Sequence, residues 1–317
     1  MKVLVIGATG FVGLPVARAL NRAGHIVYGL TRSEAKAKQL AAEEINPIVG
    51  DPEKPDKWVK IVASLDCVID ALGGTANIYL LGQSLLKAVT ETAKARPAGT
   101  PRLTYIYTSG SWVHGDHRKE IVTDTTPLTN PATLVRWRPA LELAVVGSPV
   151  LNGIVIRPAL VYGGSASILA QLYGAAAGGK VRWAGVPGGR YATVHYDDLA
   201  DLYLRAAEKA QIVGGVIFDA ANNQTESVDD LLEKLVMISG SQGPYEYTRP
   251  SNSFEEAVAS TTLIRPYLAR TLLGWEPRKT GLIDGLETWY AAWMASAPEG
   301  NEKVNWQKKI FCKNGQQ

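Results

Sequence analysis

The sequence predicts an α/β fold: a Rossmann-type doubly wound parallel sheet with a smaller carboxy-terminal substrate lobe. Three observations carry that expectation. Short β-branched runs alternate with helically spaced apolar segments through the first half of the chain. A glycine-rich loop follows the first run directly. The 317 residues exceed the size at which one core usually keeps growing, so a nucleotide-binding domain with an attached lobe is expected.

Residues 2–6, 25–30, 47–49, 67–71, 103–108 and 153–156 read as strands. Their apolar runs lack inside–outside alternation, as in parallel strands covered on both faces. Between them, residues 12–23, 34–44, 57–63, 78–95 and 135–146 have helical spacing. Alternating strands and helices give the doubly wound arrangement. After Pro158 the rhythm breaks into Gly- and Ala-rich stretches at 163–167, 174–179 and 185–189. Helices are expected again at 197–209, 227–239, 263–273 and 282–295, and 215–220 reads as a late strand of the main sheet. The expected division is a dinucleotide-binding domain over 1–160, rejoined by 190–222, with most of 161–317 forming a discontinuous substrate lobe.

Composition narrows the function classes. A formal charge of +3 is small and scattered, with no Lys/Arg run, so nucleic acid is not an expected partner. Cys67 and Cys312 form no ligand or CxxC spacing, which argues against a disulfide framework and fits a reducing compartment. His25, His114, His117 and His195 form no ligand pair, so no metal is expected. The opening apolar run stops at Gly7, too short for a secretory signal, and no stretch reaches the roughly 20 apolar residues of a membrane span. The expectation is a cytoplasmic protein with a small-molecule substrate and no membrane partner.

The loop Gly7-Ala8-Thr9-Gly10-Phe11-Val12-Gly13 ends the first strand and opens the first helix. Its glycines serve a sharp turn, a close backbone approach to pyrophosphate, and helix-on-strand packing; the helix end then holds the phosphates. The second strand ends in Thr31-Arg32-Ser33, where an NAD-selective site would carry Asp or Glu. Arg32 beside a helix start gains from a neighbouring anion, and the 2′-phosphate of NADP would be one, with donors from Thr31, Ser33 and Lys36. NADP(H) is therefore expected over NAD(H). Gly50-Asp51 is read as an adenine contact or a plain turn, and Leu72-Gly73 as backbone passing the ribose or, again, a turn.

Together with Thr108-Ser109-Gly110-Ser111-Trp112-Val113-His114-Gly115, Arg157-Pro158-Ala159-Leu160-Val161-Tyr162-Gly163 and Val194-His195-Tyr196-Asp197-Asp198-Leu199-Ala200, this loop resembles the extended short-chain dehydrogenase/reductases, the epimerase and dehydratase group. The order and spacing match from residue 1 to roughly 295. The resemblance implies a bound nicotinamide dinucleotide, Thr108 at the cofactor, and dimerisation through helices equivalent to 78–95 and 130–146. It also implies hydride transfer beside a Tyr-x-x-x-Lys pair, in which the ammonium tunes the phenol as a proton shuttle. Counting back from Glu142 puts Arg138 in the lysine place and Leu134 in the tyrosine place; no tyrosine in the chain has Lys four residues later. The serine place falls on Gly110, flanked by Ser109 and Ser111.

Several residues offer replacement chemistry. Arg138 keeps the positive charge for the ribose, and doubles as a catalytic and cofactor-binding candidate. Ser109 and Ser111 either polarise a carbonyl or bond nearby backbone. His114 is a general acid or an exposed loop residue, and Tyr162 faces the pocket or packs inside. His195, Asp197 and Asp198 are assigned to structure, with Asp197 as a helix cap. Trp112, Trp137 and Trp183 wall a flat apolar pocket or lie in the core, and Arg136 adds a cation near Arg138. Three functions stay open: an NADPH-dependent reductase of a small carbonyl or conjugated double bond, a redox-neutral isomerase, dehydratase or cyclase, and a non-catalytic NADP-binding sensor.

Overall fold

Strands β1 (Lys2–Ile6), β2 (Ile26–Thr31), β3 (Asn46–Val49), β4 (Cys67–Asp70) and β5 (Thr104–Thr108) join Asn152–Pro158 and Ile217–Ala220 in one parallel sheet. From one edge its order is Ile217–Ala220, Asn152–Pro158, β5, β4, β1, β2, β3. The chain winds outward from β1 to β3, then returns to β4 on the other side of β1. Open α/β sheets bind ligands at such a reversal, beyond the carboxyl ends of the strands. The computed structural model describes residues 1–75, 77–165 and 167–296, so Cys312 and the 301–317 tail lie outside the described residues.

The uninterrupted apolar strands have a simple physical cause. In β1, Val3 and Val5 join the core beneath one sheet face while Leu4 and Ile6 join the core on the other. Helices α1 (Gly13–Arg22) and, later in the chain, Tyr196–Glu208 cover the first face through Val16, Leu20, Leu199, Leu202 and Tyr203. Between α2 (Glu34–Ala42) and the carboxy-terminal elements, α3 (Ile78–Lys94) and α4 (Arg138–Val146) cover the second face through Leu81, Leu85, Val89, Leu141 and Val145. A third cluster, with Tyr162, Leu172, Trp183, Leu232, Phe254 and Trp293, forms the core of the carboxy-terminal part. Among the described residues, no helix is long and apolar enough to cross a membrane.

Three expected helices differ from what the chain builds. Residues 57–63 form tight 3-10 turns, Pro55–Lys57 and Val59–Ser64. The 135–146 helix is split into a 3-10 turn, Thr133–Val135, and α4, with Pro139 in the first turn of α4, where its missing N–H costs no helical bond. Residues 263–273 contain a strand, Thr262–Ile264, and a helix, Leu268–Leu273; Pro266 stands between them and favours extended backbone before it. That strand pairs with His117–Val122, which is polar and half a chain distant.

The cap of Tyr196–Glu208 is also corrected. The His195 side chain, not Asp197, occupies the N-cap, and its Nδ1 accepts from the Asp197 N–H at 3.1 Å. The accepting nitrogen carries no proton, so the ring is neutral with its hydrogen on Nε2. Burial pushes His195 down to about 4, against the pull of Asp197 and with the push of Lys279. Between about pH 6.5 and 4 the unfolded chain binds this proton and the folded chain does not, so His195 stabilises the fold above that window and the contribution fades as pH falls through it. Wild-type stability, minus that of His195→Asn, is expected to drop across the window by no more than on the order of 3 kcal/mol. Chemical denaturation at stepped pH reads this difference; a flat difference refutes it.

Candidate active site

The glycine loop is shaped by backbone crowding. Gly7 has φ +85°, and a Cβ there would lie 2.9 Å from the Ala71 carbonyl oxygen. A Cβ on Gly13 would lie 2.1 Å from the Gly7 oxygen, and the Gly10 N–H donates to that same oxygen at 2.8 Å. The loop thus folds down onto the ends of β1 and β4. In the first turn of α1 the Leu14 N–H donates to the Gly10 carbonyl at 3.1 Å, the Val16 N–H donates to the Val12 carbonyl at 3.3 Å, and Pro15 has no N–H, so the donors left for an anion are the N–H groups of Phe11, Val12 and Gly13. Thr9, Phe11 and Val12 are half-buried there, the Phe11 ring 6.0 Å from that of Tyr196.

At the end of β2, the buried Thr31 hydroxyl accepts from the Ser33 N–H at 3.3 Å. Ser33 caps α2, accepting from the Lys36 N–H at 3.4 Å. Arg32 projects between them, exposed, with no hydrogen bond or ion pair among the described residues. Its charge is uncompensated beside the positive end of α2, where an anion is favoured. Asp51 is committed to a turn: its carboxylate accepts from the Glu53 N–H at 3.1 Å, and its carbonyl from Trp58 Nε1 at 2.9 Å. Gly50 is small because a Cβ would meet the Trp58 ring at 2.9 Å.

Beyond β4 and β5 the polar groups converge. Asp70 ends β4, buried, accepting from the Leu72 N–H and the Tyr105 hydroxyl, each at 3.1 Å. Burial pushes its carboxyl up to about 6, although both bonds and the Arg138 charge hold it down. Thr108 donates to the Asp70 carbonyl at 2.6 Å and meets the Tyr203 hydroxyl at 2.6 Å. A Cβ on Gly73 would meet nothing within 4 Å, so that backbone borders open space.

Arg138, the first residue of α4, reaches back to this point. Its Nη1 donates to the Thr108 carbonyl and the Tyr107 hydroxyl, each at 3.0 Å, and its guanidinium lies 4.8 Å from the centre of the Trp137 ring. Trp137 in turn packs on Tyr79 at 5.3 Å, away from the other two tryptophans. Leu134, in the preceding 3-10 turn, packs against the carboxy-terminal core, and Arg136 is exposed. Ser109 is anchored by its N–H on the Ile156 carbonyl at 2.8 Å, yet its Oγ is buried without a partner among the described residues. Gly110 adds no bulk, and Ser111 then opens onto a cleft between Trp112, Trp183, Leu160, Ile168 and Val258.

Two candidates are not delivered to this cleft. The Tyr162 hydroxyl donates to the Thr280 carbonyl at 2.7 Å, its ring fully buried against His195 and Trp289. His114 is neither exposed nor free, because its Nε2 meets Asp219 at 2.8 Å in a buried charge network. In that network Arg157 makes a bidentate contact with Glu142, Nε donating to Oε1 at 3.1 Å and Nη2 to Oε2 at 2.6 Å, and faces Asp219 at 3.8 Å; the Asp219 N–H donates to Asp124 at 2.8 Å. Glu142 lies one helical turn after Arg138, so the network ties the helix carrying Arg138 to the turn carrying Ser111. Asp197 pairs with Lys279 at 2.9 Å, and Asp198 accepts from the Lys279 N–H at 3.0 Å, both structural. Asp70 and the Ser111 cleft as a unit escaped sequence reasoning; an acid closing an otherwise apolar strand was the one available signal for Asp70.

Residues 7–134 match a family model described as NAD(P)H-binding. The fold of the whole chain is that of NAD-bound epimerases and dehydratases of known structure. The chain aligns at 15% identity with the NAD complex of dTDP-glucose 4,6-dehydratase from Bacillus anthracis, TM-score 0.77, over 98% of this chain and 99% of that one. An uncharacterized protein of Schizosaccharomyces pombe is 27% identical over 90% of this chain and 98% of its own length. A 4-hydroxy-2-methyl-3-oxo-4-farnesyl-3,4-dihydroquinoline-1-oxide ketoreductase of Stigmatella aurantiaca is 27% identical over 76% of this chain and 74% of its own.

Proposed function

We propose that the protein is an NADP(H)-dependent reductase of a small, largely apolar organic carbonyl or conjugated double bond. The observation that carries this reading is the placement of Arg138 and Ser109 at the end of β5, one turn from the hydroxyl of Ser111 in an aromatic-walled cleft. The loop at Gly7, Gly10 and Gly13 and the unpaired Arg32 fit a dinucleotide with a 2′-phosphate. The ketoreductase relative, which reduces a ring carbonyl carrying a farnesyl chain by its name, supports a carbonyl substrate with an apolar body.

Bound NADPH would supply the hydride, two electrons to the substrate carbon, with a proton completing the reduction at oxygen or at the second carbon of a conjugated bond. In this reading Arg138 positions the ribose from its anchor on Thr108. Unlike a lysine, it holds its proton throughout and acts as a fixed charge. The Ser109 hydroxyl has an unused donor for the nicotinamide side. Ser111 donates to the substrate oxygen and is re-protonated by water from the cleft mouth.

The test is NADPH oxidation across a panel of aryl ketones and enones, with wild type and Arg138→Met. Turnover by wild type, reduced at least about hundredfold in Arg138→Met, is expected. Substrate conversion with no change in nicotinamide absorbance would replace this reading with a redox-neutral one.

A further inference from the structure

The Ser111 cleft is lined by apolar side chains and neutral hydroxyls, and Arg190 is its one charged lining residue among the described residues. It lines the cleft with Trp112, Trp183 and Val258 while remaining solvent-exposed. The guanidinium is held in place: Nε donates to the Thr225 hydroxyl at 2.8 Å and Nη2 to the Thr225 carbonyl. The Arg190 N–H itself donates to the Thr261 hydroxyl at 2.9 Å, which fixes the backbone from which the side chain springs.

Both side-chain partners are neutral. No carboxylate forms an ion pair with Arg190 among the described residues, and Nη1 meets no acceptor there. The acid nearest along the paired strand, Glu226, spends its two oxygens on the Leu282 and Ile283 N–H groups at 2.6 and 2.8 Å. The other hydroxyls lining the cleft are Ser111, Tyr191, Ser260 and Thr262; Thr262 donates to the Gly115 carbonyl, Ser260 to the Ala257 carbonyl and Tyr191 to the Val258 carbonyl. The cleft therefore offers one immobilised, unpaired cation among the described residues, together with apolar and aromatic side chains and a few neutral hydroxyls.

We propose that Arg190 is the anion anchor of this cleft, and that the substrate class is an apolar or aromatic molecule bearing a carboxylate. This rests on the reading of the cleft as the substrate site. The body of the substrate lies between Trp112 and Trp183, and the carboxylate docks on the Nη edge of Arg190. A guanidinium pre-set by neutral partners loses little freedom when it binds a planar carboxylate, the geometry its fork matches best.

Calorimetric titration of the NADP-loaded protein with benzoylpropionate and with its methyl ester tests the anchor without requiring turnover. The acid is expected to bind about tenfold tighter than the ester, and Arg190→Gln, which retains a donor for the Thr225 carbonyl, is expected to erase that difference while leaving ester affinity unchanged. Equal affinities in wild type, or a preference that survives in Arg190→Gln, overturn the anchor while leaving the cleft as the substrate site. If neither compound binds, the anchor and the cleft reading both fall. A melting curve of Arg190→Gln matching wild type confirms that the comparison is made between folded proteins.

Discussion

Replacing Arg32 with Asp is expected to reverse the preference between nicotinamide cofactors. The Arg32 side chain stands alone at the end of β2, beside the cap of α2, with Lys36 on the first turn. Removing it deletes charge-assisted bonds to a 2′-phosphate, each worth about 1.5–3 kcal/mol, and the new carboxylate repels that phosphate. NADPH affinity is expected to fall about hundredfold or more, a loss of at least about 2.7 kcal/mol. The same carboxylate can accept from a free ribose 2′-hydroxyl, so NADH affinity is expected to rise severalfold. Titrating both cofactors against both proteins reads the result; an unchanged ratio means that Arg32 is a solvated surface residue.

Replacing Gly13 with Ala acts on the same loop by sterics alone. The added methyl would sit 2.1 Å from the Gly7 carbonyl oxygen, a backbone atom with no rotamer to escape by. Either the start of α1 or the end of β1 must move, and a shift of even 1 Å displaces the loop N–H groups of Phe11, Val12 and Gly13 from the phosphates they would meet. NADPH is expected to lose at least about hundredfold in affinity, and the rise in melting temperature on adding NADPH is expected to disappear. A Gly13→Ala protein that binds NADPH with wild-type affinity contradicts the loop geometry.

The two residues stand out in the sequence for different reasons. Gly13 announces itself because the loop's demands are local: each glycine meets backbone within a few residues or at the adjoining strand end. Arg32 is singled out by its place at the end of the second strand, where this fold meets the adenine ribose, and the cofactor titration above decides its role. The seven sheet strands were legible too, since burial on both faces leaves an apolar run with no other explanation.

What escaped the sequence depends on distant partners. Thr262–Ile264 becomes a strand by pairing with the polar segment His117–Val122, which carries no strand signal of its own. His114 looked like a loop histidine because its partner, Asp219, lies 105 residues away. Tyr162 looked available because Thr280, whose carbonyl accepts its hydrogen bond, is 118 residues away. The three tryptophans had the same composition signal, yet Trp112 and Trp183 wall the cleft while Trp137 supports Arg138. Periodicity gives the face of an element and not what stands opposite it.

Under the proposed function, the chain moves a hydride from NADPH to an apolar carbonyl in the Ser111 cleft. Deuterium transfer tests it most directly: NADPH labelled with deuterium at the transferring position of C4 is incubated with the protein and an aryl keto acid, and the product is read by mass spectrometry. One deuterium per product alcohol, matched by one NADP+ formed, is the predicted result. Bound keto acid and bound cofactor with no label in any product would contradict it.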